Sequence, residues 1–169
     1  MSTISLSQYL AREETQHGMD PQLTRLLTGV SEACKHISWL VRSGALAGVL
    51  GLAGSENVQG EDQKKLDIIS NDIFVDAVAQ TGTVCGMVSE EIPEVIRVDD
   101  KLPIGPYLIC FDPLDGSSNI DINVSIGSIF SVRPPRTSSV MSPMQTLCRR
   151  VNTKLPPATA CTVRKLSSF

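Results

Sequence analysis

Three acidic residues lie within one short stretch near the middle of the chain: Asp112, Asp115 and Asp121. Gly116 permits a positive φ between them, and Ser117, Ser118 and Asn119 add short polar side chains that can bond to the backbone or to a ligand. Carboxylate oxygens suit a hard divalent cation, and the backbone amides of a turn from Gly116 to Asn119 can bind an anion. The pattern therefore predicts one loop that holds a metal and a phosphate. The alternative is an ordinary capped surface turn, because these are the commonest turn residues.

Two apolar runs predict the strands that position these acids. Residues 107–111 are typical of a buried strand, so that Asp112 would emerge where the strand ends. Residues 83–88 predict a second strand, which ends at Ser89, Glu90 and Glu91. Because neighbouring parallel strands end at the same edge of a sheet, we expect the acids of both strands to lie close together. Such a cluster is repulsive without cations, whereas the alternative is that acids at a strand end are merely solvated.

Two helices are predicted before these strands. Asp20 and Pro21 suit the start of an amphipathic helix, because Asp caps backbone amides and proline is tolerated at the first helical position. Its apolar residues recur every three or four positions to about Ser43, and Gly44 would end it. Helical spacing returns over residues 64–80.

The predicted fold class is α/β, with both helices packed on one side of a sheet. Its strands would be residues 84–88, 94–98, 107–111 and 122–132. The acids near the start of the second helix are ambiguous on spacing alone. Glu61 and Asp67 are either helix-start and surface acids or further members of the acidic site.

The composition is that of a globular domain, with 169 residues of which 41% are hydrophobic. No apolar run approaches the roughly 20 residues that span a bilayer, and the first residues lack the pattern of a secretory signal. These features predict a cytoplasmic protein without a membrane partner. The five cysteines are an odd number without paired spacing, which favours reduced thiols over a disulfide or zinc framework.

The sequence Asp112–Asp121, followed by Asn123–Phe130, resembles the metal signature of the class 1 fructose-1,6-bisphosphatases. These belong to the magnesium-dependent, lithium-sensitive sugar phosphatases. The resemblance implies a layered helix and sheet sugar-phosphatase fold, a Mg²⁺ cofactor and assembly into a homotetramer. It also implies hydrolysis of the 1-phosphate of fructose 1,6-bisphosphate, in gluconeogenesis or pentose phosphate cycling. Sedoheptulose 1,7-bisphosphate is the alternative substrate, and no nucleic-acid partner is implied.

The resemblance also implies roles for individual residues. The implied metal ligands are Glu90, Asp112, Asp115 and the carbonyl of Leu114. The implied catalytic group is Glu91, which would orient or deprotonate the attacking water, with support from Asp67 and Glu61. The implied phosphate ligands are Asp115, Gly116, Ser117 and Ser118. A weaker resemblance covers residues 23–27, which align with the helix start where many members bind AMP, without the family's Gly-rich turn or later basic partner.

The resemblance covers residues 5 to about 132, after which the character of the sequence changes. Residues 1–132 carry 18 acidic and 8 basic residues, whereas 133–169 carry 7 basic and no acidic ones. The second stretch is rich in Ser, Thr and Pro and sustains no apolar period, which predicts a disordered or out-of-frame tail and an incomplete fold. The alternative function is therefore a non-catalytic truncated fragment that binds metal or pairs with full-length subunits.

Overall fold

The computed structural model describes residues 4–47, 52–56, 62–122 and 125–134. The elements are, in chain order, α1 (Leu6–His17), α2 (Pro21–Ala47), β1 (Leu52–Glu56), β2 (Asp62–Lys64), α3 (Lys65–Ala79), β3 (Val84–Ser89), β4 (Tyr107–Asp115), a 3₁₀ helix (Ser117–Ile122) and β5 (Gly127–Arg133). Glu61 and residues 135–169 lie outside the described residues. No helix in the described part of the chain is long and apolar enough to cross a membrane.

The main sheet has three strands in the order β3-β4-β5. β3 and β4 are parallel, with Ser89 opposite Phe111, and β5 runs antiparallel to β4. The predicted pairing of residues 84–88 with 107–111 in one sheet is therefore confirmed, as is the α/β class. Both parallel strands deliver their carboxyl ends to the same edge.

The predicted strand at residues 94–98 is wrong. That segment touches β3 through a single antiparallel bridge between Met87 and Ile96. Pro93 before it cannot donate a hydrogen bond, and Asp99 after it begins a turn that the Leu102 amide closes at 2.8 Å. The strand predicted from residue 122 begins later, at Gly127, and residue 122 is instead the last residue of the 3₁₀ helix.

Three further boundaries differ from the sequence prediction. The helix α2 continues through Gly44 to Ala47, since one glycine costs a helix only about 1 kcal/mol. β4 continues past Phe111 to Asp115. β1 and β2 form an antiparallel pair that the sequence does not predict, because the glycines and polar residues of this region lack a strand's alternation.

The start of α2 is tied to the start of β4 through Asp20. The Asp20 carboxylate accepts the Gln22 amide at 2.9 Å, as expected of a capping residue directly before Pro21. Its second oxygen accepts the Tyr107 hydroxyl. This bond fixes the helix relative to the strand that carries Asp112.

One apolar core joins α2, α3 and the main sheet. The ring of Phe74, on α3, stacks on Phe111 with a centroid distance of 4.2 Å and an interplanar angle of 16°. Because Phe111 directly precedes Asp112, this contact holds α3 against the end of β4. The buried stripe of α3 also contains polar side chains, namely Asp67, Ser70 and Asn71.

Candidate metal centre

Three carboxylates converge where the pairing of β3 with β4 ends. Oxygens of Glu90, Glu91 and Asp112 all lie within 4.8 Å of one another. The parallel register produces this convergence, because Ser89 lies opposite Phe111 and the Glu90 amide then donates to the Phe111 carbonyl at 3.0 Å. Glu90 and Asp112, the residues that directly follow this last pair, are consequently side by side.

A β-bulge in β4 sets the direction of the acids after it. Asp112 pairs with Ile129 and Asp115 with Gly127, so Pro113 and Leu114 together oppose one residue, Ser128. The Ser128 hydroxyl donates to the Pro113 carbonyl at 2.8 Å. Side chains alternate between the two faces of a sheet, and the two residues of a bulge together take up one position in that alternation. Asp112 and Asp115 therefore face the same side of the sheet. Without the bulge, two residues three apart would face opposite sides.

Asp112 is an acid of this edge with a raised pKa. Burial, together with the negative charges of Asp115, Glu91 and Asp67, raises the pKa of its carboxyl to about 6. The Leu114 amide, which donates to Asp112 Oδ1 at 3.0 Å, opposes the shift. The carboxylate form is therefore poorly stabilised by the protein alone. An all-oxygen donor set with an excess of negative charge fits a hard divalent cation.

The turn after β4 has the backbone that the sequence predicts at Gly116. Its φ is +81°, and an added Cβ would lie 3.3 Å from the Asn119 side chain, so glycine is required there. The Asn119 amide donates to the Gly116 carbonyl at 2.8 Å, so this amide is used inside the turn. Of the amides from Gly116 to Asn119 that the sequence predicts to bind an anion, that of Asn119 is therefore already engaged.

The structure brings some of the predicted site residues together and places others apart. Glu90, Glu91 and Asp112 are brought together, whereas Asp67 and Asp115 are outside that group of three but close enough for their charges to act on Asp112. Ser117 and Ser118 begin the 3₁₀ helix after Gly116, and Leu114, which is part of the bulge, is buried. Glu61 lies outside the described residues. The individual roles of these residues remain predictions.

Two buried polar residues beside the cluster were missed by sequence reasoning. The Ser89 hydroxyl donates to Asn71 Oδ1 at 2.7 Å, and the Glu91 amide donates to Ser89 Oγ at 3.2 Å. A signal for Asn71 existed, because it lies one helical turn after Asp67 on the same face of α3. The sequence pattern hid it, because the apolar stripe through positions 66, 69, 73 and 77, with 74 and 78 beside it, includes three positions that are only half-buried, namely 69, 73 and 77.

Comparison with known proteins identifies the family to which this chain belongs. The family model described as fructose-1-6-bisphosphatase, N-terminal domain, matches residues 4–152. The chain belongs to the fructose-1,6-bisphosphatase family. The match to the N-terminal domain of that family extends twenty residues past the boundary predicted at Val132.

Solved fructose-1,6-bisphosphatases from Leishmania major have a similar structure. The holo form is 35% identical with a TM-score of 0.75, and the alignment covers 88% of this chain and 44% of that one. The apo form is 32% identical with a TM-score of 0.66, covering 87% and 42%. The T-state form is 35% identical with a TM-score of 0.64, covering 84% and 41%. The chain thus spans about two fifths of the length of these bisphosphatases.

Proposed function

We propose that the chain carries the metal-binding and phosphoryl-binding part of a fructose-1,6-bisphosphatase. The reaction is the magnesium-dependent hydrolysis of the 1-phosphate of fructose 1,6-bisphosphate, with roles in gluconeogenesis and pentose phosphate cycling. The observation that carries the proposal is the convergence of Glu90, Glu91 and Asp112 at the sheet edge of a chain of this family. Sedoheptulose 1,7-bisphosphate is the alternative substrate.

The acidic edge would hold Mg²⁺ through oxygens of four residues. They are Glu90, Asp112, Asp115 and Leu114, the last through its backbone carbonyl. Magnesium supplies charge neutralisation for the phosphoryl group and a lower pKa for water. The raised pKa of Asp112 supports this assignment, because a carboxyl group that is costly to ionise gains the most stabilisation from a bound cation.

The remaining roles belong to side chains of the chain itself. Glu91, supported by Asp67 and Glu61, would accept a proton from the attacking water and orient it for in-line attack. Gly116, Ser117 and Ser118 would hold phosphate oxygens through backbone amides and hydroxyls as charge builds on the leaving alkoxide. The positive φ of Gly116 turns the chain at the point where these groups follow Asp115.

The family also suggests partners and a location. We propose a sugar bisphosphate substrate, assembly into a homo-oligomer, a homotetramer by analogy with the family, and a cytoplasmic location. Residues 1–132 would form the family portion, and 133–169 would form a separate basic tail rich in Ser, Thr and Pro.

A second candidate is a non-catalytic fragment that binds metal or pairs with full-length subunits. It is favoured by one observation, that alignments reach only 41–44% of the length of the solved relatives. Substrate contacts contributed by the rest of such a protein orient the reacting groups, and orientation can account for several kcal/mol of rate acceleration.

Phosphate release from fructose 1,6-bisphosphate separates the two candidates. The purified chain is assayed over a range of Mg²⁺ concentrations beside Asp112→Asn and a control, Asp76→Asn, in which an exposed acid on α3 is neutralised. Magnesium-dependent release that only Asp112→Asn abolishes supports the enzyme. Magnesium binding without release supports the fragment, and the absence of both contradicts the proposed site.

A further inference from the structure

We infer that Ser89 and Asn71 are positioning residues that fix the backbone of Glu91 beside the candidate metal centre. The inference deepens the proposed function and rests on it for the role of Glu91. Neither residue carries a charge or belongs to the carboxylate group. Their contribution would be to hold a neighbouring carboxylate in place.

The two hydrogen bonds of Ser89 leave its hydroxyl a single orientation. The hydroxyl has one hydrogen, which it donates to Asn71 Oδ1 at 2.7 Å, and its oxygen accepts the Glu91 amide at 3.2 Å. Ser89 is 4% exposed and Asn71 is 5% exposed, so water has little access to either partner. A chain of hydrogen bonds in a buried site keeps one geometry, because water does not compete for its donors and acceptors.

The amides of Glu90 and Glu91 are held by two different elements. Glu90 donates to Phe111 of β4 at 3.0 Å, continuing the parallel ladder by one bond. The register of that ladder ends at Ser89 and Phe111. Beyond this point, the Glu91 amide is connected to α3 through Ser89 and Asn71. The position of Glu91 relative to Asp112 therefore depends on the helix as well as on the sheet.

The same helix carries the second acid proposed to act on water. Asp67 and Asn71 are four residues apart on α3, which places them on one face, and both are buried. A single rigid helix thus bears Asp67 and anchors Glu91. This arrangement would keep the two acids at a constant separation when metal or substrate binds.

The test compares Ser89→Ala with Ser70→Ala in the full chain. Ser70 is a matched control because it is fully buried on α3, and its hydroxyl has no hydrogen-bond partner in the described part of the chain. The first measurement is hydrogen exchange of the Glu91 amide without metal. We expect Ser89→Ala to lower its protection at least about tenfold, because the amide loses its acceptor, and Ser70→Ala to leave it unchanged.

The second measurement is the affinity for Mg²⁺ alone, by calorimetry. Loss of a group that orients a metal site typically weakens metal binding by about 10–100-fold, and we expect the lower end for Ser89→Ala, since it acts through a backbone amide. Where phosphate release occurs, kcat should fall while KM is retained. Asn71→Ala should have the same effects as Ser89→Ala. The double variant should lose no more Mg²⁺ affinity than either single variant, because both substitutions break the same chain of hydrogen bonds.

The outcomes separate this inference from the proposed function. The positioning role would be overturned if Ser89→Ala and Ser70→Ala both kept the Glu91 exchange rate and the Mg²⁺ affinity of the unmutated chain. It would also be overturned if both variants lost protection and affinity to the same extent, because that result would indicate general loosening. If Ser89→Ala does not fold, Asn71→Ala decides by the same two measurements. Absence of phosphate release from the unmutated chain counts against the proposed function, whereas the exchange comparison still decides the positioning role.

Discussion

Asp112 is half-buried, and burial together with the negative charges of Asp115, Glu91 and Asp67 raises the pKa of its carboxyl. That an acid follows an apolar strand and faces Glu90 and Glu91 was predictable, because parallel strands share an edge. The raised pKa of Asp112 was not predictable, since it depends on burial and on the Asp67 charge, which α3 brings from 45 positions earlier. The bond from Ser89 to Asn71 is of the same kind, because it joins residues whose proximity only the packing of helix on sheet creates.

We predict that Asp112→Asn raises the stability of the metal-free protein. Because the folded-state pKa of about 6 exceeds the ordinary 3.8, the free energy of unfolding falls as pH rises from about 4 to about 6. The neutral amide avoids that loss. Since the carboxyl is partly exposed and screened, we expect about 1 kcal/mol at pH 7, well below the value for full burial. Urea unfolding of both proteins without metal measures the difference.

The same variant should lose its response to magnesium. Added Mg²⁺ should raise the urea midpoint of the unmutated chain, because a ligand that binds only the folded state stabilises it. Asp112→Asn should show no such rise. A variant that is less stable without metal, yet equally protected by Mg²⁺, would contradict both the electrostatic account of Asp112 and its assignment to the metal centre.

At the level of elements, the sequence predicted the type of each main element better than its ends. The start of α2 was marked by Asp20 and Pro21, whose capping chemistry is local. The bulge at Pro113 and Leu114 was not marked, because it follows from the pairing of β4 with β5. The failed strand at 94–98 contains three β-branched residues, as strands often do, but it makes a single bridge to β3. Local composition therefore did not predict whether the segment pairs along its length.

We predict that Tyr107→Phe loosens the contact between α2 and β4. Asp20 accepts the Tyr107 hydroxyl, and this bond lowers the pKa of the Asp20 carboxyl below 3.8. The variant should therefore unfold at a lower urea concentration at pH 7. The difference should disappear as pH falls below about 4, because a carboxyl with a lowered pKa loses its stabilising effect on protonation. Tyr9→Phe, on the exposed face of α1, is the control; equal effects would contradict the role of the bond.

At the level of the whole molecule, the described sheet ends at β5. Within the described ranges, β5 pairs only with β4, and Ile129 on it is 42% exposed. An unpaired strand edge with an exposed apolar residue favours association between chains. The chain spans about two fifths of the length of the solved relatives.

We predict that the chain associates through β5 in a concentration-dependent way. Ile129→Lys should shift the population towards monomer in size-exclusion chromatography with light scattering, because an edge lysine resists strand pairing. Ile104→Lys is the matched control, since Ile104 is 65% exposed and lies in a loop. A chain that is monomeric at every concentration, or that responds equally to both substitutions, would contradict this prediction.

Equilibrium binding of Mg²⁺ tests most directly the central claim, that the edge formed by β3 and β4 is a divalent-metal site. Calorimetric titration at neutral pH compares the unmutated chain, Glu90→Gln, and Asp72→Asn, the last of which neutralises an exposed acid on α3. We predict saturable binding that Glu90→Gln weakens at least about tenfold and Asp72→Asn preserves. Absence of saturable binding, or equal affinity in all three proteins, would contradict the account.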